Sequence, residues 1–179
     1  MVVVIVVIVG AVSAGLLLRD RSSVAGVVRI DPIGDKAPPR QAEPGPATVT
    51  LVEDVAVHPD AGRIRTVLQR YFDAINAGDY RLWTGAVIPQ WARDTGENAW
   101  RSEYRSALDG SIVVHRLEPR AGGGLLALTS FTRVQDPADA PPELPVRCLR
   151  WWVSFPLIGE GDQLRMGPPS SSANVLAAC

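Results

Sequence analysis

The feature that most constrains this chain is a change of period at Asp109-Gly110. Upstream, apolar residues recur at helical spacing; downstream, they recur at every second position. Ile64, Val67, Leu68, Tyr71 and Ile75 follow the i, i+3, i+4, i+7, i+11 rule of one apolar helix face, with Arg63, Arg65, Gln69, Arg70 and Asp73 on the remainder. Gly78 supplies the left-handed residue that ends such a helix without a Cβ clash. Asp79 can then accept backbone N–H groups as the N-cap of a second helix. The stretch "RYFDAINAGDYRLW", residues 70–83, therefore predicts a tight corner between two helices. Leu82, Trp83, Ala86 and Val87 form the buried side of the second, and Pro89 ends it or begins another. Trp100, Tyr104 and Leu108, with Ala107 beside them, predict a third helix closed by Asp109-Gly110.

Beyond that point the period of two predicts strands. Ser111 to Glu118 is the first, with His115 on the face of Val113 and Leu117. Gly122 to Gly124 is a turn. Leu125 to Val134 is a long strand whose Leu125, Ala127, Thr129 and Phe131 share a face. Residues 136–145 form a Pro-rich loop. Arg147 to Leu157 is a third strand with Leu149, Trp151, Val153, Phe155 and Leu157 on its apolar side, and Gln163 to Met166 is a short last one. Helices first and an antiparallel meander after make an α+β domain over 61–179, in which a curved sheet wraps over the helices.

Two segments precede it. Val2 to Leu18 carry no charge, and at helical rise span roughly 26 Å, enough to cross a bilayer core. Val12-Ser13-Ala14 resembles a signal cleavage site, but Leu16 to Leu18 continue the apolar run past it and no basic stretch precedes it. The expectation is an uncleaved transmembrane anchor over 1–18. Residues 19–60 read as a Pro-rich, flexible linker, with Asp31-Pro32, Ala37-Pro38-Pro39 and Glu43-Pro44-Gly45-Pro46 breaking any regular element. Thr48 to Val57 alternates weakly and is read as part of that linker. Arg19, Arg21 and Arg29 follow the anchor, which by the positive-inside tendency would hold the domain in the cytoplasm. The two cysteines oppose that and point to an extracytoplasmic domain on a single-pass membrane protein.

The run from Ile64 to Met166 resembles the nuclear transport factor 2-like superfamily, in particular its exported, membrane-anchored bacterial members. The resemblance rests on "YFDAINAGDYRLW", on "YRSALDG" before the first long strand, and on "RCLRWWVSFPL" followed by "GDQLRM" as the last pair of strands. It implies a cone, a bent sheet enclosing a pocket against helices. The superfamily includes isomerases, dehydratases and cyclases, and also non-catalytic binding and assembly modules, whose members often pair through their sheets. The expectation drawn is a non-enzymatic binding or assembly module of an envelope complex. One alternative is a small-molecule-binding or isomerase/dehydratase-type enzyme that uses the cone; another is a domain that self-associates through its sheet.

The chemistry on offer favours the first. His115 is the one weak candidate for an acid or base, against a plain strand histidine with a satisfied ring. His58 has no evident partner. Two histidines without clustered acids or thiols make no metal site, and no cofactor motif is present: Gly122 to Gly124 lacks the Lys-Ser/Thr of a phosphate loop. Neither Asp73 nor Glu103 falls on an apolar helix face, where burial would raise a catalytic carboxylate's pKa. Residues 60–179 hold equal numbers of arginine and of aspartate plus glutamate, so no nucleic-acid partner is expected. Tyr71, Trp83, Trp100, Tyr104, Phe131 and Trp151 are the candidate pocket lining; they either admit a small apolar ligand or fill the cone. Trp152, with Cys148, Arg150 and Ser154, faces the other way, as a strip suited either to a protein partner or to packing under the C-terminal tail. Cys148 and Cys179 are expected to form a disulfide that pins the tail to the sheet.

Overall fold

The helical corner forms where Gly78 and Asp79 require it. In the computed structural model, which describes residues 43–160, 162–169 and 174–179, α2 runs from Ala61 to Ala77 and stops at Gly78 with φ 63° and ψ 27°. That left-handed turn lets the Gly78 and Asp79 N–H groups reach the carbonyls of Ile75 and Ala74. Asp79 then caps α3, Tyr80–Thr84, its Oδ1 accepting the Leu82 N–H at 2.9 Å. Pro89 opens α4, Pro89–Thr95, at a position where its missing N–H costs nothing. A further short helix, α5, spans Glu97–Glu103.

Two details differ from the sequence reading. Ala86 and Val87 are fully buried, but they lie beyond the end of α3, and Leu82 is 37% exposed. Leu108 belongs to no helix: α5 ends at Glu103, and Leu108 starts strand β2 with 49% exposure. Its i+8 spacing from Trp100 is a coincidence of register, and Ala107 takes the buried place.

Among the described residues the sheet has six strands. β2 (Leu108–Pro119), β3 (Leu125–Val134) and β4 (Cys148–Glu160) form an antiparallel meander. β4 carries β5 (Gln163–Met166) opposite Leu157–Glu160 and β6 (Val175–Ala178) opposite Leu149–Trp152. At the other edge β1, Thr50–Leu51, pairs parallel with Val113 and Val114. The sheet curls as a half-barrel with the helices packed against its inner face. The core joins Ile64, Leu68, Phe72 and Ile75 of α2 to Ala127, Phe131, Val153, Phe155 and Leu157 of the strands. Each such side chain contributes about 1.5–3 kcal/mol by leaving water. Met166 donates its N–H to the Ala86 carbonyl and accepts the Ile88 N–H, which ties β5 to the chain just after α3.

The stretch 48–57, read as linker, is instead part of the domain. β1 is followed by α1, Glu53–Ala56, and Val49, Leu51 and Val55 are buried. Gln69 of α2 supplies the reason: its side chain accepts the Val49 N–H at 2.8 Å and donates to the Ala47 carbonyl at 3.1 Å. A polar residue on the flank of α2 thereby captures a strand too short to announce itself by alternation. The anchor expected over 1–18 and the linker up to residue 42 lie outside the described residues. Among the described residues, no helix is long and apolar enough to cross a membrane.

Candidate functional site

The inward face of β3 does not end at Phe131. Two residues on, the same face presents Arg133, whose register partner on β2 is Asp109. A charged residue at the inner end of an apolar face has to meet its opposite charge there, because burying it alone costs several kcal/mol. Arg133 Nε donates to Asp109 Oδ1 and Nη2 donates to Oδ2, both at 2.7 Å. The Asp109 side chain is wholly buried and that of Arg133 is 12% exposed. Asn76, on the last turn of α2, clamps the Asp109 backbone from the other side, accepting its N–H at 2.7 Å and donating to its carbonyl at 2.9 Å. The Arg133 guanidinium carbon lies 5.1 Å from the Tyr104 ring centroid and 5.6 Å from that of Phe131, within reach of both π faces.

Beside Arg133 lies a cavity of about 170 Å³. Tyr71 of α2, Glu103 and Tyr104 at the end of α5, Phe131 and Arg133 of β3, and Trp151, Val153 and Phe155 of β4 supply its walls, with Pro169 and Asn174 completing them. The Tyr71 and Tyr104 hydroxyl oxygens are 3.5 Å apart. Trp151 Nε1 and Asn174 Oδ1 are buried without a hydrogen-bond partner.

The electrostatics keep these groups in fixed protonation states. Burial pushes the Tyr71 phenol up to about 12, although the Tyr104 hydrogen bond and Arg133 pull the other way. Burial also raises Tyr104 well above the usual phenol value, reinforced by the charges of Tyr71 and Glu103. For Arg133, burial opposes the charge, but the Asp109 charge and hydrogen bonds outweigh it and hold the guanidinium above its ordinary pKa. Near neutral pH the interior of the site thus holds two neutral phenols and one closed ion pair, with the exposed Glu103 side chain at its rim. Both Asp109 oxygens are occupied by the guanidinium, so this carboxylate is not free to take a proton from a substrate.

Four of the six candidate lining residues converge here: Tyr71, Tyr104, Phe131 and Trp151. Trp83 and Trp100 do not. They are 0% and 1% exposed in an aromatic cluster at the helical corner, where Trp83 stacks on Tyr80 and meets Trp91 edge-on. Trp91 also stacks on Tyr71, which joins the two regions. His115 is not in the interior. It is exposed, with Nε2 2.7 Å from Ser130 Oγ. Ile112 and Val114 point inward, so alternation leaves His115 outside, and the register shift between Val114 and Arg116 lets Leu117 pack against the core although His115 does not. His58 accepts the Asp60 N–H through Nδ1 at 3.1 Å.

Asp109 and Arg133 escaped the sequence reading. Asp109 looked like part of a turn, and the inward face of β3 was followed only to Phe131; carrying the alternation one step further leads to Arg133.

Cys148 and Cys179 are bonded to one another. Among the described residues, the one group of potential metal ligands within reach of each other is Glu43 with these cysteines, and both sulfurs are already consumed by the disulfide. A separate open groove of about 560 Å³ runs past Gly78, Trp100, Arg101, Ser106 and Leu108. Its polar side chains are engaged, Arg101 with Glu97 and the Gly78 carbonyl, and Ser106 with Asp139. Trp152 is 37% exposed on the outer face, with β6 paired beside it rather than folded over it. No protein-family model, curated protein or solved structure matches the chain.

Proposed function

We propose that the chain is a non-enzymatic binding or assembly module of the nuclear transport factor 2-like type, tethered by an N-terminal membrane helix and acting outside the cytoplasm in an envelope complex. The observation that carries this reading is the closed Asp109–Arg133 pair: the charges inside the half-barrel neutralise one another, and the phenols beside them stay protonated. An interior of that kind holds a shape and moves no protons. Recognition then falls to the outer surfaces. Trp152 and Arg150 on β4 are exposed, and these residue types are enriched at binding hot spots. The loop 136–145 is held in place by Arg105 and Ser106 through Asp139.

A photo-crosslinking residue at position 152 of the full chain, in membranes, tests the reading. A discrete adduct at 152 that is lost in an Arg150→Ala background supports it. Absence of any adduct there, or a catalytic turnover abolished by Tyr71→Phe, contradicts it.

The cavity of about 170 Å³ favours a second reading, in which the interior takes one small apolar molecule. Ligand-dependent stabilisation that Trp151→Ala removes, and that Trp152→Ala leaves unchanged, would select it over the first. The extracytoplasmic location has its own check. Thiol labelling of the native protein should find two reactive cysteines only after reduction, and labelling without reductant would argue against export.

A further inference from the structure

β6 is an edge strand beside the cavity and is lightly anchored. Among the described residues it pairs only with Leu149–Trp152 of β4. Val175, Ala177 and Ala178 are exposed and Leu176 is half-buried, so little apolar area holds the strand down. Its other attachment is covalent. The Cys148–Cys179 bond spans 31 residues of sequence, and Cys179, the more exposed partner, also donates its N–H to the Cys148 carbonyl at 3.2 Å.

The position of β6 relative to the cavity gives this attachment a consequence. Asn174, the residue before β6, lines the cavity together with Tyr71, Arg133 and Trp151. Leu176 is the register partner of Trp151 itself. Most of the remaining lining stands on α2, α5, β3 and β4, which share the buried core. The cavity therefore has a lining residue, Asn174, that can leave with β6 without dismantling the core, and the disulfide fastens the far end of that strand.

We propose that the Cys148–Cys179 disulfide is a thiol-sensitive latch: a reducing dithiol releases β6 and exposes the aromatic interior beside Trp151. In the first step a thiolate of the dithiol attacks Cys179 Sγ. The sulfur–sulfur bond breaks, and Cys148 leaves as a thiolate that takes a proton. The second thiolate of the dithiol then attacks its own partner sulfur in the mixed disulfide, and Cys179 leaves and is protonated. Two electrons pass to the protein, and the dithiol ends as a disulfide. This goes beyond the binding role proposed above, because it sets when the interior is reachable, whichever surface engages a partner.

Hydrogen exchange on the full chain, with and without dithiothreitol and with Cys179→Ser, tests the latch. Both the reduced protein and the variant should exchange at least about tenfold faster at the amides that join β4 to β6, with β2–β3 amides unchanged. Acrylamide quenching of tryptophan fluorescence should rise in parallel, less so in Trp151→Phe. Unchanged protection of 175–178 after reduction overturns the proposal. So does faster exchange spread across β2 and β3, which would make the bond a staple for the whole domain. A loosened β6 without any rise in quenching refutes the opening of the interior.

Discussion

The helical corner and the mouth of the half-barrel are both built from tryptophan and tyrosine, yet they are solved differently. At the corner, Trp83, Trp100, Tyr80 and Trp91 pack against one another, and the first two have lost contact with water altogether. At the mouth, Tyr71, Phe131 and Trp151 line a cavity beside an ion pair. The corner buries apolar area with no charge to neutralise. The mouth holds charges whose burial cost offsets much of their attraction, since a buried ion pair is often no more stable than apolar residues of the same shape. What the pair contributes is placement: it fixes the start of β2 against the end of β3, as Asn76 fixes it against α2. The dry region stabilises the domain, and the polar region specifies one arrangement of it.

Truncation at equivalent aromatic positions should separate the two regions most strongly. Trp83→Ala is expected to cost about 3–5 kcal/mol in urea denaturation, as for a fully enclosed large side chain. Trp151→Ala, at the half-buried mouth, should cost roughly half as much. Equal costs would mean that the mouth is as tightly filled as the corner.

Alkaline titration sharpens the contrast further. Tyr71 rises from an ordinary 10.0 to about 12 on folding. Between these values the unfolded chain releases a proton that the folded chain keeps. Stability fully present below pH 10 is therefore lost as the pH climbs toward 12, by about 2–3 kcal/mol. Tyr104 acts in the same direction. Tyr71→Phe should flatten that part of the stability profile; an unchanged slope would place Tyr71 in contact with water. The smallest effect belongs to the turn between the helices. Gly78→Ala meets no atom within 4 Å and is penalised only for its positive φ. It should lower stability by about 1 kcal/mol without altering the cavity.

The corner was legible in the sequence because each signal there is local. Gly78 ends one helix and Asp79 starts the next whatever the rest of the chain does. The inward faces of β3 and β4 were legible for the same reason, since a period of two survives wherever a strand runs without irregularity. β2 broke that logic. His115 keeps the parity of Val113, but that face is the outer one, with Ile112 and Val114 inside, and the register shift between Val114 and Arg116 parts Leu117, which packs against the core, from His115. β1 depended on a long-range hydrogen bond from Gln69, which no local pattern encodes. The site was half legible. Its aromatic residues followed from periodicity, whereas the Asp109–Arg133 pair needed the register of two strands 24 residues apart.

That pair is the centre of the account, and a double-mutant cycle on Asp109→Asn and Arg133→Met, measured by urea denaturation, tests it most directly. Each single change strands its partner and should cost about 3–5 kcal/mol. The double variant removes both charges and should lose at least about 2 kcal/mol less than the sum of the singles. Losses that add to within about 0.5 kcal/mol would mean that the two side chains do not hold each other, and the interior would then contain free charges available for chemistry.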